Sequence, residues 1–229
     1  MAEVPDNVGE VARALAPLGL LDDVVFVGGA TVPMLLSDPA ALPPRVTADV
    51  DIVVDVVGRA RFYDIEARLR EAGHAPDPTG PICRWGVAGV PVDLMPTDPA
   101  ILGFSNRWYP TLVRTARRHR IAPDVEILVA HPGMLLATKL EAQVDRGRGD
   151  LMMSHDLTDI VSLVEGRPEL VDEVANLDDP VREFVREAIR TLLAHDDLPF
   201  ALAGHLPPDA GSQARVGVVL ERLGVIAGR

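Results

Sequence analysis

Cysteine, aromatic residues and positive charge are all scarce in this chain of 229 residues. The single cysteine, Cys83, excludes an internal disulfide framework and the usual cysteine-based zinc sites. Because Cys83 lies in an apolar stretch at residues 81–85, we expect a packed thiol rather than a nucleophile. The formal net charge is −12, which disfavours broad, non-specific binding of nucleic acid because phosphates repel an acidic protein.

Long hydrophobic runs are also absent. No stretch of about 18 uncharged apolar residues is present, so the sequence predicts no transmembrane helix and no membrane partner. The first residues are acidic and lack a basic segment followed by an apolar one, so we expect no secretory signal and a cytoplasmic location. Hydrophobic residues still make up 48% of the chain, which is enough for a substantial core.

A short apolar segment followed by two glycines is the first motif. Residues 24–27 are β-branched or aromatic and end at Gly28 and Gly29, which predicts a buried strand that turns sharply into a short helix near Thr31. The start of a helix offers backbone N–H groups and the positive end of the helix dipole. Gly28, Gly29 and Thr31 are therefore a candidate phosphate site.

Three aspartates fall on two predicted strands. Asp49 and Asp51 alternate with aliphatic residues, so in a strand both carboxylates point to one face. Such a pair in isolation is more often a solvated surface than a metal site. Asp93 lies on the second strand of a hairpin predicted for residues 82–95, on the face opposite to its aliphatic neighbours. Carboxylates are the ligands that Mg²⁺ prefers.

The order of these elements resembles the nucleotidyltransferases of the polymerase-beta type. More narrowly, the sequence resembles the AbiEii-type (MenT-like) nucleotidyltransferase toxins of type IV toxin–antitoxin systems. The resemblance covers about residues 24 to 165. Its later motifs are a helix that carries Lys139 and the segment 155–160, where His155 stands in the place of a common arginine.

The resemblance implies an enzyme that transfers a nucleotide from a nucleoside triphosphate (NTP) to an acceptor hydroxyl. It implies two Mg²⁺ ions held by Asp49, Asp51 and Asp93, with Asp93 on the ion that activates the hydroxyl. Lys139 would supply positive charge to the triphosphate, although a lysine on a helix surface is more often only solvated. The residues expected at the nucleotide are Gly28, Gly29, Thr31, Arg45, Thr47, Lys139 and Asp156.

The acceptor and the protein partners stay open from the sequence. The family implies a tRNA end or a protein serine or tyrosine as acceptor, and an antitoxin as partner. A run of arginines without acids, beside Trp108 and Tyr109, favours RNA, unless it is a solvated basic helix whose arginines pair with acids elsewhere. The arginines are Arg107, Arg114, Arg117, Arg118 and Arg120.

Two further functions compete with nucleotidyl transfer to RNA or protein. The acidity of the chain would suit a small cationic acceptor, as in the aminoglycoside adenylyltransferases. A nucleotide-binding module without catalysis is the alternative outside enzymes, but a decayed enzyme should have lost at least one of the three aspartates.

The predicted fold class is α+β. A polymerase-beta-like core with a mixed sheet flanked by helices is expected at residues 1–125. A mainly helical region is expected at residues 126–229, where it completes the active-site cleft. Within that region, helices are predicted at residues 169–176, 180–195 and 213–223, and a loop at residues 198–211.

Overall fold

The computed structural model describes residues 4–56, 58–146 and 150–229, without the side chains of residues 145 and 146. The described chain forms two compact units. The first contains residues 4–34 and 46–131, and the second contains residues 35–45 and 132–229. The boundary expected after residue 125 falls inside the strand Val125–Val129, which pairs within the first unit.

The first unit is built on one mixed sheet of the described residues, with seven strands in the order β3-β4-β5-β2-β1-β7-β6. Strand β1 is buried along its whole length and lies between β2 and β7. It pairs antiparallel with β2 and parallel with β7, and β2 pairs parallel with β5. The strands are β1 Val24–Val27, β2 Val50–Val54, β3 Ala75–Pro76, β4 Arg84–Val87, β5 Val90–Pro96, β6 Arg117–Ala122 and β7 Val125–Val129.

Helices flank this sheet, as the fold class predicted. In the first of them, Val8, Val11 and Leu15 are buried at helical spacing, so one apolar stripe faces the sheet. The helices are α1 Asp6–Leu15, α2 Val32–Leu35, α3 Arg59–Glu71, α4 Pro99–Leu102 and α5 Tyr109–Arg114, with short 3₁₀ turns at Ala16–Leu18 and Gly29–Thr31.

The hairpin of β4 and β5 has a two-residue turn. Ala88 and Gly89 have φ values of 51° and 83°, and two positive values are what a type I′ turn requires. This turn fixes the register, which pairs Val87 with Val90 and, three steps further, Arg84 with Asp93.

The second unit is helical in its described part. Its helices are α6 Pro132–Arg146, α7 His155–Gly166, α8 Leu170–Ala175, α9 Asp179–Leu193, α10 Leu198–Gly204 and α11 Ala210–Ile226. The predicted loop at residues 198–211 was wrong in its first half, where α10 forms. Proline at the start of α10 is compatible with the first helical turn. Leu198, Ala201 and Leu202 are buried and stabilise the helix by packing.

The segment 37–45 is a loop, as its prolines predicted, and is fixed to α7 and α11. The backbone N–H groups of Ser37 and Asp38 both donate to the carbonyl of Gly166, each at 3.0 Å. Arg215 forms an ion pair with Asp38 at 2.9 Å. Buried Glu165 accepts from the backbone N–H of Leu42 at 3.2 Å. These bonds fix the loop that ends at Arg45.

No helix in the described part of the chain combines the length and the apolar character that crossing a bilayer would need.

Candidate active site

The three aspartates of the first unit come together on one face of the sheet. Asp51 of β2 and Asp93 of β5 are direct register partners on adjacent parallel strands, so their side chains are neighbours. Asp49 precedes β2 by one residue. Its carboxylate lies within reach of the same arginine side chain that binds Asp93. The sequence predicted carboxylates within metal-bridging reach of one another; the shared face agrees with that prediction, but no group of three such side chains among the described residues is arranged to hold a metal ion.

Arg84 is a residue of this site that was not predicted from the sequence. Its Nε and Nη2 atoms donate to the two oxygens of Asp93 at 2.8 and 2.9 Å, and Nη2 also donates to Oδ2 of Asp49 at 3.0 Å. The hydrogen bonds to Asp93 raise the pKa of the guanidinium above its ordinary value, so Arg84 is a permanent cation. The hairpin register could have identified it, because a two-residue turn at residues 88 and 89 pairs residue 84 with residue 93.

Gly28 brings the backbone of the glycine turn against Asp51. Its φ of 76° is in the region that favours glycine. A β-carbon added at Gly28 would overlap Oδ2 of Asp51 and lie 2.7 Å from Cγ. The missing side chain therefore leaves the space that the Asp51 carboxylate fills.

Thr31 is fully buried in the same turn. Its hydroxyl donates to the carbonyl of Gly28 at 2.9 Å, and its backbone N–H points to the same oxygen at 3.2 Å. The side chain of Thr31 thus stabilises the turn at Gly28.

Thr47 has a buried hydroxyl with no hydrogen-bond partner in the described part of the chain. Its carbonyl accepts from Nδ2 of Asn7 at 3.0 Å, which fixes the backbone two residues before Asp49. A buried hydroxyl without a partner costs free energy unless a bound group satisfies it.

Cys83 is a packed thiol, as expected. It is buried and free. Burial and, to a lesser extent, the negative charge of Asp93 raise the pKa of the Cys83 thiol from 9.0 to about 11. Because the thiolate is the nucleophilic form, Cys83 is inert at neutral pH.

Lys139, Asp156, Asp159 and Arg45 form a charge cluster in the second unit. Nζ of Lys139 lies 2.7 Å from Oδ2 of Asp159 and 3.2 Å from Oδ1 of Asp156. Arg45 binds the carboxylate of Asp159 with two nitrogens, at 2.7 and 3.0 Å. The two positive charges of Lys139 and Arg45 therefore offset the two negative charges of Asp156 and Asp159 within this cluster.

Asp159 is the centre of that cluster, and no role was predicted for it from the sequence. Its side chain is only 2% exposed. An acid three residues after Asp156 on the buried face of a helix was the available signal, because acids in such positions are almost always paired. His155, which stands where the family commonly has arginine, is exposed.

The arginine-rich segment is not a single basic helix. It divides between α5 and β6, which lies at the edge of the sheet. On β6, Arg118 pairs with Asp22 and Arg120 with Glu126, each at 2.8 Å. On α5, Arg114 donates to the carbonyl of Pro110 and the hydroxyl of Thr111. The alternative interpretation, in which these arginines pair with acids elsewhere, therefore holds for Arg118 and Arg120. Arg107 lies over the ring of Trp108, at 4.9 Å from the centroid.

The donor chemistry of the aspartate face fits Mg²⁺, because all three side chains offer hard carboxylate oxygens. In the part of the chain that the structure describes, no group of three or more histidine, cysteine, aspartate or glutamate side chains is arranged to hold a metal ion. Arg84 lies between the carboxylates of Asp49 and Asp93 and binds three of their four oxygens.

The family model described as nucleotidyl transferase AbiEii toxin, type IV TA system, matches residues 11–219. The match includes the glycine turn, the three aspartates, Arg84 and the whole charge cluster. No curated protein matches the chain.

Proposed function

Because the chain belongs to the AbiEii family of nucleotidyl transferase toxins of type IV toxin–antitoxin systems, we propose that it transfers a nucleotide from an NTP to an acceptor hydroxyl. The observation that supports this most is the register of Asp51 with Asp93, which puts two carboxylates side by side on one sheet face. Asp49 joins them through the contact of its carboxylate with Arg84.

We assign Asp49, Asp51 and Asp93 as the ligands of two Mg²⁺ ions. When bound, Mg²⁺ would lower the pKa of the acceptor hydroxyl and offset the negative charge on the pyrophosphate that leaves. Asp93 accepts the proton of the acceptor hydroxyl. The shape of the Gly28 turn supports this assignment, because the glycine lets the Asp51 carboxylate lie directly against the backbone.

The phosphates are bound, in this proposal, by the backbone N–H groups of Gly28 and Gly29. Lys139 and Arg45 supply positive charge to the triphosphate. Asp156 and Asp159 hold Lys139 in place, since its ammonium group contacts both. Thr47 contributes its buried hydroxyl, which no described residue satisfies.

The experiment is incubation of the full chain with each labelled NTP and Mg²⁺. Total tRNA, a protein mixture and an aminoglycoside panel serve as separate acceptors. We expect label transfer with one acceptor class, and loss of transfer in Asp51→Asn. The matched control is Asp64→Asn, which removes an acid that is 54% exposed on α3 of the same unit. Transfer that survives in Asp51→Asn would contradict the assignment of the carboxylates.

For the acceptor we propose RNA, bound by Arg107 and the arginines of α5 and β6. The exposed ion pairs of Arg118 and Arg120 oppose this only weakly, because surface pairs contribute at most about 1 kcal/mol. The double variant Arg117→Glu with Arg118→Glu should bind RNA more weakly, and the slope of its log affinity against log salt should fall by roughly 0.7 to 0.9 for each phosphate that it no longer binds. NTP binding should stay unchanged. A lower KM for an aminoglycoside in this double variant would instead identify a small cationic acceptor.

We also propose an antitoxin partner and a toxic outcome of transfer, as the family description states for type IV systems. Expression of the wild-type chain should then arrest growth, and expression of Asp51→Asn should not. Equal growth with both would argue that the chain is no toxin in that host.

A further inference from the structure

The backbone of Arg84 is fixed beside the carboxylates. Its backbone N–H donates to the carbonyl of Pro81 at 2.8 Å, and its carbonyl accepts from Asp77 at 2.9 Å. Its side chain lies over Gly80, where an added β-carbon would be 2.7 Å from Cδ. The absence of a side chain at residue 80 therefore makes room for Arg84 to reach Asp93 and Asp49.

The guanidinium group binds the same carboxylate oxygens that a metal ion would need as ligands. Both oxygens of Asp93 and one oxygen of Asp49 accept hydrogen bonds from it. Mg²⁺ binds carboxylate oxygens at about 2.1 Å, so an ion on these oxygens would lie close to a second cation. The two positive charges would repel each other, and binding of one opposes binding of the other.

The contact of Arg84 with Asp49 and Asp93 is exposed enough for another cation to replace the guanidinium. The side chains of Arg84, Asp49 and Asp93 are 25%, 36% and 14% exposed. In the absence of metal, Arg84 offsets the mutual repulsion of carboxylates that lie side by side. Removal of its guanidinium without a replacement cation would restore that repulsion.

We propose that Arg84 is a competing cation of the carboxylate site: a divalent metal binds only when the guanidinium releases Asp49 and Asp93, and the triphosphate then takes the guanidinium as its partner. This inference rests on the proposed function, which supplies the metal and the triphosphate. The planar fork of arginine binds two phosphate oxygens as readily as two carboxylate oxygens. Metal and triphosphate therefore load together, and the metal alone binds weakly.

The test measures binding of Mn²⁺ to the full chain by electron paramagnetic resonance, first without nucleotide. Arg84→Gln should bind Mn²⁺ at least about 10-fold tighter than the wild type, because the competing charge is gone. Gly80→Ala, which keeps the charge but displaces the side chain, should bind Mn²⁺ more tightly than the wild type by a smaller factor. Arg59→Gln is the matched control, since it removes an arginine of the same unit that donates to the carbonyl of Ala100 instead.

A second titration contains a non-hydrolysable triphosphate analogue. The wild type should then gain Mn²⁺ affinity by a larger factor than Arg84→Gln, because only the wild type has a guanidinium that can move from the carboxylates to the phosphates. In a chelator, Arg84→Gln should have the lower melting temperature of the two. Excess Mn²⁺ should close that gap.

Equal Mn²⁺ affinity of the wild type, Arg84→Gln and Gly80→Ala, with all three folded by circular dichroism, would overturn the inference. If Arg84→Gln does not fold, equal Mn²⁺ affinity of Gly80→Ala and the wild type would overturn the inference. Nucleotide transfer by the wild type together with equal affinities would leave the proposed function intact. Tighter Mn²⁺ binding by Arg84→Gln without transfer from any NTP would support the inference and contradict the function. Absence of Mn²⁺ binding in every variant, both with and without the triphosphate analogue, would overturn both.

Discussion

Gly28→Ala should destabilise the first unit and disrupt the carboxylate site together. Gly28 has a φ of 76° and a ψ of −170°, a region that is essentially restricted to glycine and costs any other residue roughly 1–3 kcal/mol. The new methyl group would also overlap Oδ2 of Asp51 and lie 2.7 Å from its Cγ. To relieve that contact, the side chain or the backbone must shift, which costs about 1–3 kcal/mol. The expected total destabilisation is about 4 kcal/mol.

Gly58→Ala is the matched control for this substitution. Gly58 has a φ of 88° and a ψ of 161°, close to those of Gly28, and nothing lies within 4 Å of a β-carbon built on it. This variant therefore carries only the conformational cost of roughly 1–3 kcal/mol. The difference between the two variants isolates the contact with Asp51.

Urea unfolding measures the destabilisation of both variants, through the midpoint at an unchanged m-value. Nucleotide transfer, measured well below the melting temperature, should be largely abolished in Gly28→Ala and kept in Gly58→Ala. In an Asp51→Ala background the excess cost of Gly28→Ala should shrink, because the overlapping oxygen is gone. Equal destabilisation by the two glycine variants would refute the reasoning.

Two further predictions concern buried groups. Asp159→Asn removes the central acid from Arg45 and Lys139 and should lower the free energy of unfolding in urea by about 3 kcal/mol, because its partners keep their charge in a buried cluster. The control Asp179→Asn, on a side chain that is 83% exposed, should change the free energy of unfolding by no more than about 0.5 kcal/mol. Equal destabilisation by the two variants would contradict the central role of Asp159 in the cluster. The raised pKa of Cys83 means that its contribution to stability is complete below pH 9 and is lost as the pH rises through about 11. Cys83→Ala should therefore flatten the fall in stability across that window, and a parallel fall in both proteins would show that other groups cause it.

The sequence was sufficient to predict the elements of the aspartate face. The apolar segment before Gly28 forms a buried strand, and the alternation around Asp51 places its carboxylate on the half-exposed side. The two-residue link at Ala88 and Gly89 set the pairing of the hairpin. The adjacency of β2 and β5 could not follow from these local patterns, because strand order depends on long-range packing.

Strand β6 shows where local pattern failed. Its sequence has arginines in place of alternating apolar residues, and most of its side chains are exposed or half-buried. The strand forms because its backbone pairs with β7, as the register of Arg118 with Leu128 shows. Edge strands are commonly rich in charge, which discourages pairing with other chains. Tertiary pairing therefore decided a segment that side-chain periodicity alone would leave as helix or loop.

The two candidate centres, each taken within its own unit, share one electrostatic property. In the first unit Arg84 is bound to Asp93 and Asp49. In the second unit Lys139 is bound to Asp156 and Asp159. An ionic ligand that takes over one of these side chains offsets the disruption of an existing ion pair with part of its binding free energy. A ligand of single charge gains little from such an exchange. Within the first unit, a metal–triphosphate complex would carry both signs of charge and satisfy the acids and Arg84 at once, which would favour it there over a free metal or a simple anion.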